Sequence, residues 1–389
     1  MCGPRRRRKR NAAMETANAR WSRFHRWLES QQVTSWKKHL SLERYENGYR
    51  TFHAKEFIAK GTALLEIPGH LLITGNKAAK WLEKNEWIRA EEIARIPGIM
   101  LISMYLFVLS KQTDSFWKPY LDVLPASYDL LFLFRDELLL SYVTEADIMQ
   151  KVQATRHSLR DIFQRYLARR WNYDSRAKWN ALFKEFVRYY CAVVSRICFL
   201  PGDIAGALVP LGDMFNHEAV SSPLEHRYVG WESGKGYVFR AHRNFHVGAE
   251  VFVSYGACSN TELALWYGFT LKENPWDSLS FYVHELDKDI LLSELVTLDR
   301  QGFSLNILRA LCKDDSCKEA QDVDTLICAT DRAKLYEICL LLESRENKVV
   351  AALDNRNLME REPTRVVLLQ SWALSRMQVV NIAKHMYLW

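Results

Sequence analysis

Several features that assign function quickly are missing from this chain. None of its eight cysteines forms a Cys-x-x-Cys pair, and Cys312 and Cys317 have no His or Cys cluster beside them. Zinc-finger and zinc-ribbon spacings are therefore excluded, and we expect no metal and reduced thiols in an intracellular setting. The longest apolar stretch, residues 99–109, is too short to span a bilayer. No apolar segment follows the basic N-terminus as a secretory signal would require. The Gly234-Lys235-Gly236 run lacks Walker spacing, and there is neither a Gly-x-Ser-x-Gly elbow nor a His-Glu-x-x-His. Repeats are absent, and strands and helices do not alternate as in a doubly wound sheet.

Charge of one sign is also scarce once its location is considered. The formal charge is +7, and six of those charges sit on residues 5–10, so the rest of the chain sums to about +1. A near-neutral body does not suit a groove that tracks phosphates. The basic tail suits a nuclear import signal, a loose contact with nucleic acid or anionic lipid, or a plain solvated terminus. Nucleus and cytoplasm both remain open as locations.

What the chain does have is length, apolar content and aromatic residues. Its 389 residues are 48% hydrophobic, with 13 Trp, 17 Tyr and 18 Phe, enough for more than one domain. The aromatics fit a dense core and an aromatic-lined cleft equally well. Residues 21–28 read as an amphipathic helix, residues 48–67 as strands with a turn at Lys60-Gly61, and residues 99–109 as a buried helix. An apolar stripe through Leu159, Ile162, Phe163, Tyr166 and Leu167 predicts a helix over 152–171, and residues 183–194 read as another. Short strands return between 207 and 255, with Gly234 and Gly236 at a hairpin turn. After Asn274-Pro275, strands or loops lead into helices over 290–312, 323–345 and 359–387. The expected class is α+β.

Two segments concentrate polar chemistry at strand ends. Residues 207–217 (ALVPLGDMFNH) bring Asp213, Asn216 and His217 close behind an apolar strand. Residues 250–256 (EVFVSYG) deliver Tyr255 beside a glycine, and residues 266–269 (WYGF) repeat a Tyr-Gly pair. Singly, each has an ordinary explanation as a turn former or packed aromatic.

Jointly, and with residues 115–125 (SFWKPYLDVLP) and Ser195-Arg196, they resemble the SET-domain methyltransferases. The branch is the one that includes the Rubisco large-subunit lysine methyltransferase and the actin histidine methyltransferase. The resemblance runs from about residue 48 to residue 269. It implies a SET β-fold over 21–270 with a knot-like core and a helical insertion at about 76–190. It also implies a helical substrate-binding domain over 271–389, behind a basic tail at 1–20. S-adenosyl-L-methionine is the implied cofactor, and the implied partner is a protein presenting a lysine, with no membrane and no oligomeric state specified. Tyr255 takes the catalytic position. Arg196, Asp213, Tyr228 and Tyr267 take the substrate side. Gly48, Tyr49, Arg50, Asn216, His217, Gly268 and Phe269 take the cofactor side. Thr51 stands where the family commonly has glycine, which predicts a weakened or shifted cofactor loop. Cys198 and Gly212 stand where the histidine-directed branch has Asn and Trp, which favours lysine. Histidine methylation and a silent partner-binding module are the alternatives.

Overall fold

Alternating burial along short strands and fully apolar helices build two compact units in a computed structural model. It describes residues 18–45, 49–134, 141–143, 146–171, 175–288, 290, 292, 294–313, 326 and 330–387. Residues 1–17 of the basic tail and Gly48 lie outside the described residues, while residues 18–20 belong to the first helix rather than to the tail. The first unit takes Met1–Tyr128 and Leu159–Gly256, and the second takes Asp129–Ser158 and Ala257–Trp389.

In the first unit, a helix over 18–30 buries Phe24, Trp27 and Leu28, as the amphipathic spacing predicts. Strand β1 (Leu40–Arg44) was not anticipated. It pairs antiparallel with β2 (Arg50–Ala54), Leu40 opposite Ala54. Strand β3 (Ala63–Ile67) starts a three-stranded sheet, and β4 (Ile73–Thr74) pairs with β5 (Ala207–Leu208). Strand β6 (Asn216–His217) precedes the hairpin of β7 (Val229–Glu232) and β8 (Gly236–Arg240), which completes the β3 sheet in the order β3-β8-β7. Gly234 and Gly236 both have positive φ in that hairpin, the left-handed region that glycine tolerates best. Strand β9 (Phe252–Val253) then pairs parallel with β6.

Three helices pack against one another in this unit. Gly98–Ser110 buries every side chain from Met100 to Leu109, which explains its uninterrupted apolar sequence. It packs between Gly75–Lys84 and Arg176–Val194. Caps fix two of the helix starts: Thr74 accepts from Lys77 N–H at 3.2 Å, and Ser175 accepts from Lys178 N–H at 3.3 Å. Phe107 lies edge-on to Phe163, Trp171 and Phe186, so much of the aromatic content is core. The helix expected over 152–171 is Ala146–Ile162, and its apolar stripe continues through a π turn at Phe163–Leu167.

The second unit begins at Ala257 rather than 271 and includes residues 129–158, which the sequence assigned to the insertion. The reason is local packing: Leu131–Leu133 rests on the turn at Leu263–Tyr267, with Phe132 and Trp266 rings 5.9 Å apart. Residues 295–303, expected to be helical, are instead β11 (Leu295–Asp299) and β12 (Gly302–Phe303). With β10 (Ser278–Tyr282) they form an antiparallel sheet in the order β10-β11-β12. Val296 and Leu298 alternate inward with Leu279 and Phe281, and helices Arg332–Leu353 and Pro363–Tyr387 complete this core. Between those helices Glu346 and Arg376, both fully buried, make a two-pronged ion pair at 3.0 and 3.1 Å. Among the described residues no helix is long and apolar enough to cross a membrane.

Candidate active site

The parallel pair β6–β9 creates the site. A parallel pair needs a long crossover, and here residues 218–251 supply it, so two distant segments meet side by side. Asn216 lies opposite Phe252 and His217 opposite Val253, while Glu218 N–H donates to Val253 O at 3.0 Å. Two residues beyond the strand, Tyr255 N–H donates to His217 Nδ1 at 3.1 Å, and the two rings stack 4.9 Å apart. That bond sets the histidine's orientation, with Nδ1 accepting. The Tyr255 hydroxyl donates to Phe215 O at 2.6 Å. Burial pushes the phenol well above its ordinary pKa, so Tyr255 stays protonated at neutral pH.

Asn216 ties β6 to β2 and to the segment that leads into β9. Its amide nitrogen donates to Arg50 O at 2.9 Å and to Glu250 Oε1 at 2.7 Å. The Tyr49 hydroxyl reaches the same Glu250 oxygen at 3.0 Å, and burial with this contact pushes its pKa up to about 12. Thr51, the position where glycine was expected, lies extended in β2 with its side chain buried. It needs no left-handed conformation.

Beneath these residues lies a charged floor. The Asp213 carboxylate is fully buried, and it accepts from the Tyr120 hydroxyl at 2.7 Å and faces Arg196 at 3.5 Å. Arg196 Nη1 also donates to Asp213 O at 2.6 Å. Burial acts against the Arg196 charge, but Asp213, Tyr128 and Tyr120 together hold its pKa above the ordinary value. Arg50 donates to Val123 O at 3.0 Å, and burial followed by repulsion from Arg196 pushes it down to about 10. Asp213 thus pairs directly with Arg196, and the Arg50 guanidinium feels both of those charges. Arg196 Nε and Asp213 Oδ1 are buried without a hydrogen-bond partner among the described residues. Leu211, just ahead, is held at φ 74° and ψ −45°, a strained conformation for a non-glycine residue.

The first unit therefore brings together Tyr49, Arg50, Arg196, Asp213, Asn216, His217 and Tyr255 from the sequence-derived set. Tyr228 ends the 3-10 segment Pro223–Tyr228, and its ring carries the Lys60 ammonium at 5.5 Å. Tyr267, Gly268 and Phe269 belong to the second unit. There Gly268 closes the Leu263–Tyr267 turn at φ 81°, its missing Cβ leaving room for Asp129 O, and the Tyr267 and Phe269 rings are 6.3 Å apart. Sequence reasoning missed Glu250, Tyr120 and Tyr128. Glu250 opens the EVFVSYG segment and Tyr120 lies within SFWKPYLDVLP, so both were within quoted motifs. Tyr128 had no sequence signal. Among the described residues no group of three or more His, Cys, Asp or Glu side chains is arranged to hold a metal.

The chain is 26% identical over 258 residues to Protein SET DOMAIN GROUP 40 of Arabidopsis thaliana, covering 60% of this chain and 52% of that protein. It is 25% identical over 276 residues to the Actin-histidine N-methyltransferase of Canis lupus familiaris, covering 66% and 44%. The chain thus spans about half the length of the curated relatives it matches. Among solved structures, the SET domain of LSMT bound to lysine and AdoHcy superposes with a TM-score of 0.63 at 16% identity, covering 95% of this chain and 91% of that one. Rubisco LSMT bound to AdoMet gives the same TM-score, identity and coverage. These likenesses establish the fold. The SET domain family model matches residues 50–256, from Arg50 at the start of β2 to the glycine after Tyr255, and with the β6–β9 crossover inside it the chain belongs to the SET-domain family.

Proposed function

We propose that this protein is an S-adenosyl-L-methionine-dependent protein-lysine N-methyltransferase. The observation that carries the reading is the β6–β9 pairing, which packs Asn216, His217 and Tyr255 over the Arg196–Asp213 floor. The donor set suits the cofactor. The Arg50 guanidinium, which has no carboxylate among its hydrogen bonds described above, suits a methionyl carboxylate, and aromatic rings suit a sulfonium. Arg50, Asn216 and His217 would hold the cofactor, which supplies an electrophilic methyl group when bound.

The chain's own task is then alignment and exclusion of water. A free lysine, with pKa about 10.4, is neutral at pH 7 at a cost of roughly 4.6 kcal/mol. Desolvation lowers an amine pKa by up to ~3–5 units, which offsets most of that. Tyr255 is a protonated donor already committed to Phe215 O, so it orients groups and does not accept the amine's proton. Lysine is favoured over histidine by the space beside Gly212: an added Cβ there would lie 2.3 Å from the Phe239 ring. The aromatic wall that the histidine-directed branch places at this position has no room. The Actin-histidine N-methyltransferase relatives favour the alternative, protein-histidine methylation by the same site.

Calorimetric titration with S-adenosyl-L-methionine, followed by radiolabelled methyl transfer to protein extracts, tests the reading. Micromolar binding that Asn216→Ala abolishes, with label on lysine, supports it. Label confined to histidine would select the alternative, and no binding by the wild type would overturn both.

A further inference from the structure

Phe199 is the most exposed large hydrophobic side chain among the described residues, at 80%, and Ile204 on the same loop is 55% exposed. Isolated apolar side chains on a surface are ordinary, but this loop is built to keep them outward. Its two ends are stapled by reciprocal bonds, Cys198 N–H to Ala207 O at 2.8 Å and Ala207 N–H to Cys198 O at 2.9 Å. Asp203 accepts from four backbone N–H groups: Gly75 at 2.8 Å, Asn76 at 2.9 Å, and Ala205 and Gly206 at 3.0 Å. Burial alone would raise that carboxyl's pKa, yet these N–H groups hold it below the usual range. Gly206 takes φ 94°, and a Cβ there would lie 2.3 Å from Cys198 O, so the staple requires glycine. The Phe199 backbone is itself anchored, its carbonyl accepting from the Tyr237 hydroxyl at 3.0 Å. A rigid backbone therefore holds out Phe199 and the exposed part of Ile204, whose Cγ1 rests near Gly75.

The loop is also continuous with the site. Phe199 follows Arg196 by three residues, and Arg196 grips Asp213 O at 2.6 Å. Three residues of extended chain span at most ~10 Å, the length of three residues of a bound peptide. Resting on the methyltransferase reading above, we propose that residues 198–207 form a substrate-docking hairpin on which Phe199 and Ile204 receive a bulky apolar side chain within three positions of the methylated residue. The occupant is thus an extended segment of the protein substrate. The rigidity matters because a preorganised apolar contact loses little entropy on binding. Loss of one such contact is worth roughly 10-fold or more in kcat/KM.

The test uses the full chain, labelled S-adenosyl-L-methionine, and a lysine-centred peptide library randomised at three positions on each side, with a histidine-centred library in parallel. Wild type, Phe199→Ser and Asp203→Asn are compared, with melting temperature and cofactor binding recorded for each. The expected result is enrichment of Leu, Ile, Met or Phe at one flanking position. The ratio of kcat/KM for apolar- over serine-flanked peptides should fall about 10-fold in Phe199→Ser, with melting within a degree or so of wild type. Asp203→Asn should blunt the same preference with lower melting. Label without any apolar preference, or a preference unchanged in Phe199→Ser, would overturn the docking hairpin and leave the methyltransferase reading standing. No label on either library, with no cofactor binding, would overturn both.

Discussion

Asn216→Ala probes whether the site is held by the bonds described above. Its amide donates to one backbone carbonyl, Arg50 O, and to one carboxylate, Glu250. The first bond is worth about 1 kcal/mol and the second about 1.5–3. Asn216 and Glu250 are both partly exposed, so water recovers some of this, and a loss of about 2–3 kcal/mol is expected. For a unit of this size that corresponds to roughly 5–10 °C in melting temperature. Cofactor affinity should fall at least ~10-fold as well, because β2 and β6 lose their tie. Asn216→Asp sharpens the test. It sets a carboxylate where the amide nitrogen stood 2.7 Å from Glu250, so one of the two acids is driven to a raised pKa in the folded state. The folded protein then binds more protons than the unfolded one, and stability declines as pH rises. The deficit against wild type should be small near pH 5 and fully developed by pH 8, read from urea midpoints. Melting of Asn216→Ala within a degree of wild type, or a deficit of Asn216→Asp that is flat in pH, would refute the reasoning.

Tyr255→Phe should lower methyl-transfer kcat by roughly 10²-fold while the far-ultraviolet spectrum is retained, since the hydroxyl orients groups at the reacting centre; turnover equal to wild type would remove Tyr255 from the mechanism. Glu346→Ala should destabilise the second unit by about 3–5 kcal/mol, because it removes the carboxylate that the fully buried Arg376 guanidinium meets at 3.0 and 3.1 Å. The double change Glu346→Leu with Arg376→Met should restore most of that loss in chemical denaturation, since apolar replacements of a buried pair are often neutral or better. Glu218 is held down at about pKa 2: burial opposes this, but His242 at 3.0 Å and Arg243 at 2.9 Å outweigh it. Its stabilising contribution is present above about pH 4.5 and lost as pH falls toward 2, so Glu218→Gln should flatten the urea midpoint between pH 5 and 2.5 relative to wild type. Gly212→Ala should be strongly destabilising in thermal melting, since the new methyl would overlap the Phe239 ring and the nearby Val209 side chain.

The motifs Asn216-His217 and Tyr255-Gly256, which β6 and the chain just after β9 bring side by side, could be picked out from residue order. The partners of those residues could not be read. Glu250 reaches back 34 positions to Asn216, and Tyr120 reaches 93 positions to Asp213, and no local pattern encodes which carboxylate a given tyrosine meets. Glu250 in particular looked like an ordinary polar residue before an apolar strand.

The elements show the same division. Residues 99–109 could be read as a buried helix because a continuous apolar run longer than a strand leaves few alternatives. The β7–β8 hairpin was legible because Gly234 and Gly236 meet a backbone requirement that is purely local. Residues 295–299 (LVTLD) have apolar positions compatible with either a helix or a strand. Antiparallel pairing with β10, and the cover provided by helix Pro363–Tyr387, decided for the strand. By itself the sequence determined the family signature, the steric turns and the fully apolar helix, all set within a few residues of one another. Only the tertiary structure decided which distant side chains share a proton, a carboxylate or a core, because hydrogen bonding and burial depend on neighbours in space that chain order does not specify.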